Sequence, residues 1–401
     1  MKENLTRCEV LDLLFSKWTP EKKTETVSLS DACGRVISQI YHSRVNIPVV
    51  RAAAMDGVGV DSARFQGTVP DTAVWKLGQD YVRADTGDDF PDAFDAVIKV
   101  EDVDLLPEGG FRLHEGVEVR HGMNIRGCGS TLKVGCVLSN PNLPLRPTDL
   151  AALAMGGITE VEVAVRPRVA FIPTGSELVP IGAELKRGCN YDTNSLLAFF
   201  TLQEMGAAPV IAPIVPDVPG QLEAALDKAL SQSDVVIING GSSKGSEDFN
   251  TRLLASKGEL LFHWVKAGPG RPMSIAIIDG KPVINVPGPS IGAFYGLDWC
   301  IHAIVCRLLG LPTPERVKVR GKLTADMGGA RHVDFLNRVN VSLGKEGYLI
   351  HPVDKMVSDL PSQLTSNAMY ISPIGEGHYE AGTELEVELL RDHSLLPREV
   401  D

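Results

Sequence analysis

Apolar residues recur along this chain in two rhythms. Between residues 41 and 142 they come in short alternating runs broken by Gly, Pro and Asp, such as Ala96-Val97-Ile98-Lys99-Val100-Glu101-Asp102-Val103 and Gly116-Val117-Glu118-Val119. Alternation turns one face of a strand inward, so this stretch predicts a β-rich domain. From residue 168 the rhythm changes to unbroken apolar runs separated by segments of helical spacing. Val169-Ala170-Phe171-Ile172 meets a turn at Pro173-Thr174-Gly175; a helix over 193–205 feeds a strand over 209–215; a helix over 219–230 feeds a strand over 235–238. Strands buried on both faces are apolar throughout, and parallel neighbours need crossovers. Residues 168–312 are therefore expected to form a doubly wound α/β domain with its ligand at the carboxyl ends of the strands.

The flanks complete the pattern. Glu9-Val10-Leu11-Asp12-Leu13-Leu14-Phe15 has the spacing of a short amphipathic helix, residues 27–37 lead to a second short helix and a strand, and Pro147-Thr148-Asp149 opens a helix that ends at Gly156-Gly157. Residues 1–40 and 143–167 are expected to pack together as a discontinuous helical arm. A helix over 289–309 closes the α/β domain, Pro312-Thr313-Pro314 reads as a linker, and residues 313–401 alternate again, as in Val339-Asn340-Val341-Ser342-Leu343, predicting a small C-terminal β-barrel. Four domains suit a chain of 401 residues, which exceeds what one hydrophobic core organises.

Composition narrows the classes of function. The chain is 44% hydrophobic and 22% charged with a formal net charge of −12, which weighs against nucleic acid or an anionic membrane as a bulk partner. There is no continuous apolar run of about 18 residues, and the first residues lack the apolar core of a signal peptide, so a cytoplasmic location is expected. The seven cysteines are scattered without a Cys-x-x-Cys pair and the nine histidines without His-x-x-x-His, which argues against a disulfide frame or a zinc site.

Candidate chemistry centres on residues 234–249. Four apolar β-formers run into Asn239-Gly240-Gly241-Ser242-Ser243-Lys244-Gly245, and Glu247-Asp248-Phe249 opens a helical segment. A strand, a glycine-rich loop and a helix N-terminus in succession make an anion site: free N–H groups and the positive helix end face the ligand, and Lys244 adds a charge. An ordinary βα loop, with its two acids complementing the helix dipole, has the same composition.

Eight blocks in order carry a family resemblance over nearly the whole chain. They are Ala54-Met55-Asp56-Gly57; Asp85-Thr86-Gly87 with residues 95–101; Asn124-Ile125-Arg126; Pro173-Thr174-Gly175-Ser176-Glu177-Leu178; Tyr191-Asp192-Thr193-Asn194; Gly240 to Gly245; Gly268-Pro269-Gly270-Arg271-Pro272; and Val286-Pro287-Gly288. Together they resemble the molybdopterin molybdenumtransferases, the MoeA and gephyrin E-domain family. The resemblance implies a four-part subunit with a MoaB-like central domain. It also implies an elongated homodimer with clefts between the α/β domain of one subunit and the β-rich domain of the other. The implied reaction inserts molybdate into molybdopterin after AMP leaves the adenylylated form, with Mg²⁺ assisting and a molybdoenzyme or cofactor carrier downstream.

The residues suit that task. Anion nests fall at Thr174-Gly175, at 240–245 with Gly241 and Ser243, and at 268–271 with Pro287-Gly288. Lys244, Lys266 and Arg271 would bind phosphate or molybdate, Thr86 and Ser243 would donate hydroxyls, Arg126 belongs to a matching block, and Asp192 and Asn194 would position the ligand or cap the following helix. Hydrolysing a phosphoanhydride calls for a hard cation on carboxylates. Asp56, Glu177, Asp217 and Asp248 are the candidates, with Asp56, Glu177 and Asp248 as metal ligands. Each has a plainer role open to it: Asp56 and Asp217 as turn formers, Glu177 and Asp248 as first-turn helix acids.

The departures from the family pattern bear on activity. Thr131 and Ser176 stand where the family carries acids, Gly268 where its Lys-Pro-Gly-Lys-Pro loop begins with lysine, and Ala53 where its Asn-Ser-Ala-Met-Asp block has serine. The alternative to an insertase is therefore a relative that binds or carries the cofactor, or handles tungstate or a variant pterin, without full turnover. An interaction scaffold would need an exposed apolar groove near the C-terminal domain, and the nucleotide hydrolases of the competence-damage type would leave Asp56 and that domain unexplained.

Overall fold

Seven strands form one sheet in the order Lys2–Leu5, Glu259–Val265, Ser274–Ile278, Lys281–Val286, Val235–Asn239, Arg168–Pro173, Ala208–Ile211. They belong to a computed structural model that describes residues 2–240, 247–355 and 360–399. The chain makes two compact units, Met1–Lys23 with Ala164–Asp401, and Thr24–Val163.

The last four strands of the sheet run parallel, as the alternation of buried runs and helices predicts. Every residue of Val235–Asn239 is buried. Leu222, Leu226 and Leu230 from the helix Pro219–Gln232, and Leu253 and Leu254 from Glu247–Lys257, pack with Ala170, Ile172, Val236, Ile238, Ala276 and Val283 in a single core. The sheet is nevertheless mixed. Ser274–Ile278 pairs antiparallel with both Lys281–Val286 and Glu259–Val265. Asp279 and Gly280, with φ of 51° and 73°, form the two-residue turn between the first pair, and left-handed backbone at both positions matches the strand twist of a tight hairpin.

The amino terminus adds the edge strand. Lys2–Leu5 pairs parallel with Glu259–Val265. The helix Arg7–Lys17 follows, started by a reciprocal cap in which Glu9 N donates to Thr6 Oγ1 at 3.3 Å and Thr6 N to Glu9 Oε2 at 2.8 Å. Residues 2–17 thus join the α/β sheet, not the helix Pro147–Met155 with which the sequence pattern groups them. Residues further on do reach that helix: Val27, Leu29, Ala32 and Ile37 share a core with Leu150, Leu153 and Ile158. A strand of four residues with a single apolar side chain gives no sign of which edge it joins.

The five strands Asp334–Gly344, Gly347–Pro352, Lys318–Leu323, Glu384–Leu389 and Ala368–Ser372 pair in that order, and the last closes on the first, making the expected β-barrel. Val319, Val339, Val341, Ile350, Val387 and Leu389 fill it. Several contacts among the described residues tie the barrel to the α/β layer. Ala267–Gly268 pairs with Asp334–Phe335, Arg7 Nε meets Asp334 Oδ2 at 3.3 Å, and Arg316 joins the half-buried Asp298. The helical run Ser290–Leu309 is apolar and long enough to cross a bilayer, but it is 78% buried within the protein and carries Asp298, His302 and Arg307. Here it is a core helix.

In the other unit, Gly57–Val60 lies between Tyr81–Ala84 and Ala96–Lys99. Val58, Val60, Trp75, Tyr81, Ile98 and Phe111 pack together on it. Leu143–Pro144, Val36–Ile37, Glu160–Ala164 and Thr24–Ser28 form a separate four-stranded sheet.

Candidate functional site

The carboxyl ends of three neighbouring strands open into a cavity of about 850 Å³ between the α/β layer and the barrel. Thr174 and Gly175 follow Arg168–Pro173, Gly240 follows Val235–Asn239, and Gly288 lies beyond Lys281–Val286; all four line the cavity. The strand ends are packed backbone to backbone. A Cβ on Gly240, whose φ is 137°, would sit 2.2 Å from Thr174 Oγ1 and 2.4 Å from Thr174 O. Only glycine fits that contact.

Buried amides hold the rim. Asn194, at the start of the helix Asn194–Glu204, donates from Nδ2 to Asn239 Oδ1 at 3.0 Å and to Gly288 O at 2.6 Å. Asn239 Nδ2 donates to Pro287 O at 2.7 Å, which is how Pro287 enters the site. Asn194 Oδ1 is buried with no partner among the described residues, an acceptor left for a ligand donor. Asp192 Oδ1 accepts from Ser195 N at 3.0 Å and so caps the helix, and the residue also lines the cavity.

Three carboxylates, Glu177, Asp192 and Asp217, lie along the α/β wall. Glu177 folds back over Gly175, where a Cβ would meet its oxygens at 2.8 and 2.9 Å. Asp217 is exchanged with Ser176, the residue in place of a family acid: Ser176 N donates to Asp217 Oδ2 at 3.3 Å and Asp217 N to Ser176 Oγ at 3.1 Å. Among the described residues no three His, Cys, Asp or Glu side chains converge as a preformed metal cage.

The remaining sequence candidates divide. Arg271 is turned away from this cavity: its guanidinium stacks 4.7 Å from the Trp264 ring centroid and reaches Asn4 Oδ1 at 3.4 Å. Lys266 is not among the lining residues, and its backbone N–H donates to Leu5 O at 2.7 Å. Gly241, Ser243 and Lys244 lie outside the described residues, as does the side chain of Asp248. Asp56, Thr86 and Arg126 belong to the other unit, where their three blocks knit together: Ile125–Arg126 pairs with Ala52–Ala53, Gly87 N donates to Ala53 O at 2.9 Å, and Ala54 N to Asn124 O at 2.8 Å. Asp56 Oδ1 accepts from both the hydroxyl (2.7 Å) and the N–H (2.6 Å) of Thr86, and these bonds hold its carboxyl below the usual range. Thr131, in place of the other family acid, contributes its N–H to Ile47 O at 2.9 Å.

With this geometry in place, comparison with known proteins is decisive. Residues 5–157 match the MoeA N-terminal region (domain I and II), and residues 170–305 match the probable molybdopterin binding domain. The chain belongs to the MoeA family. The crystal structure of a molybdopterin biosynthesis MoeA protein from Pyrococcus horikoshii superposes with a TM-score of 0.80 at 25% identity, covering 97% of this chain and all of that one. The molybdopterin molybdenumtransferase of Staphylococcus epidermidis is 25% identical over 393 residues, 94% of this chain and 93% of the relative. That of Haemophilus influenzae is 29% identical over 299 residues, 72% and 74% of the two chains.

Two cations on the barrel side of this MoeA-family cavity escape a reading of the sequence. Arg338 is 7% exposed, its Nε donates to Ser366 Oγ at 2.7 Å, its guanidinium lies 4.7 Å from the Phe294 ring centroid, and Nη1 is buried with no partner among the described residues. Burial pushes its pKa down to about 10, so it remains charged at neutral pH. Lys355 lines the same wall. The signal for Arg338 is faint: an Arg between Leu336 and Val339 in an alternating strand reads as an outward charge, and only the helix packed over it makes it interior.

Proposed function

We propose that this chain acts in molybdenum cofactor biosynthesis as a molybdopterin molybdenumtransferase, inserting molybdate into adenylylated molybdopterin with release of AMP. One observation carries the reading: a single cavity sets Glu177, Asp192 and Asp217 on one wall against Arg338 and Lys355 on the other. A phosphoanhydride and a tetrahedral oxyanion are both polyanions, and cleaving the first demands positive charge where the departing phosphate gains negative charge. Arg338 lines the cavity and its Nη1 has no partner among the described residues, so the guanidinium keeps a donor for a charge-assisted bond to an oxyanion. Thr174 and the glycine backbone at 175, 240 and 288 allow close approach to the ligand.

Glu177 and Asp217 would help to hold Mg²⁺, which would supply positive charge to neutralise the departing phosphate. Asp248 and Asp56 complete the proposed carboxylate set. Asp56, with one oxygen fixed by Thr86, would serve the cavity of a partner subunit in a homodimer. A cytoplasmic location goes with this reading. Relatives named molybdenumtransferases that align over most of the chain favour turnover over a carrier role.

The test is incubation of the purified protein with adenylylated molybdopterin, Mg²⁺ and molybdate, following AMP and cofactor separately. Metal-dependent AMP release with cofactor formation is expected. Tight binding of the pterin with neither product would overturn the insertase in favour of the carrier.

A further inference from the structure

Charge in the cavity is unevenly supplied. Among its described lining residues the side chains charged at neutral pH are Glu177, Asp192, Asp217, Arg338 and Lys355, three acids against two cations. Arg271 is engaged with Trp264 and Asn4, and Gly268 offers no side chain. Among the described lining residues, the two barrel cations are what a dianion approaching three carboxylates meets as positive charge.

We infer that Lys355 is a substrate-binding residue of this cavity, a second cation that holds a tetrahedral oxyanion beside Arg338. The inference rests on the functional reading above and adds to it a residue and a ligand class: a nucleotide phosphate or molybdate. Three features support it. Lys355 Nζ lies 4.3 Å from the centroid of the Phe335 ring, which also lines the cavity, so the ammonium is seated at the wall and not free in solvent. Its described hydrogen bond is to Gly328 O, which uses one of three donors and leaves two for a ligand. The same ring abuts Gly268, where a Cβ would come within 3.0 Å of Phe335 Cδ2 and 3.1 Å of Val333 Cγ2. Phe335 thus packs closely against the loop position that has no side chain and, on the barrel, lies beside a lysine. Although much of Lys355 is exposed, protein around its ammonium displaces water and holds its pKa down at about 8, leaving it mostly charged at neutral pH.

The test compares wild type, K355Q and, as a control for general charge, K322Q, since Lys322 is an exposed lysine elsewhere on the barrel. Molybdate and AMP are titrated calorimetrically in separate arms, each with Mg²⁺, and thermal melting is followed in parallel. K355Q should bind at least one anion about tenfold or more weaker, the scale of a lost charge-assisted hydrogen bond, with its melting temperature and the affinities of K322Q unchanged. Loss in the AMP arm alone identifies the phosphate as the ligand of Lys355, and loss in the molybdate arm alone identifies the oxyanion. Equal affinity of K355Q and wild type for both anions, or an equal loss in K322Q, overturns the assignment while leaving the functional reading intact. A wild type that binds neither anion and releases no AMP overturns both.

Discussion

Asn194 and Asn239 are joined side chain to side chain across the carboxyl edge of the α/β sheet, Nδ2 of the first donating to Oδ1 of the second at 3.0 Å. Because Asn194 also reaches Gly288 O and Asn239 reaches Pro287 O, two buried amides fix a helix start to two strand ends. The rim of the cavity is therefore set before any ligand arrives.

Asn239→Ala should lower stability by about 1–3 kcal/mol, the cost of leaving Pro287 O and Asn194 Nδ2 under-satisfied in a buried place. The measurement is urea unfolding, where the midpoint should fall with the slope unchanged. A wild-type midpoint would mean that water replaces the amide without loss.

Arg338→Met should behave in the opposite way. A buried guanidinium with an unpaired Nη1 costs stability, and Ser366 Oγ keeps its own donation to Gln363 O at 3.1 Å when the arginine is gone. Methionine fills similar space without the charge, so melting should be unchanged or raised while anion affinity falls about tenfold or more. A strongly destabilised variant would make Arg338 a structural residue.

The contrast between these residues explains what the sequence reveals. The parallel strands are legible because a strand buried on both faces must be apolar throughout, and Val235-Val236-Ile237-Ile238 has few alternatives. The barrel is legible from alternation. The reversed strand was marked by Asp279-Gly280, a hairpin signal that the strand–helix rhythm hides. Two features depend on contacts between distant segments and leave no local trace: the pairing of Lys2–Leu5 with a strand more than 250 residues away, and the burial of Arg338 beneath Phe294. The motif blocks locate Thr174, Glu177, Asp192 and Asn194, and Asp217 is the acid that follows the strand over 209–215; the structure gathers all five around one cavity, whereas Arg271, chosen for its charge in a glycine loop, is drawn off by Trp264.

Gly240→Ala tests the close packing of the strand ends. The added methyl would overlap both the hydroxyl and the carbonyl of Thr174, and φ of 137° is costly for alanine. A loss of about 1–3 kcal/mol is expected in the unfolding midpoint, with Gly182→Ala as the comparison because it has a positive φ but open space around it. Adding Thr174→Ala should not relieve the loss, since the backbone carbonyl remains in the way. Equal stability of the two alanine variants would show that the strand ends can part freely.

Thr86→Val tests the bond that fixes Asp56. Valine removes the hydroxyl and keeps the N–H, so one of two bonds to Oδ1 is lost and the carboxyl should titrate closer to its ordinary value of 3.8. The sign for stability follows from linkage: a carboxylate whose pKa is lower in the folded chain stabilises it above the unfolded value and ceases to do so as pH falls through the folded one. Wild type should therefore lose this contribution below about pH 4, and Thr86→Val should have less to lose over the same interval. Carbon-detected NMR titration of Asp56 in the two proteins measures the shift directly. If Asp56 titrates at the same pH in both, the backbone N–H alone holds it, and Thr86 serves the site through its conformation and not its hydroxyl.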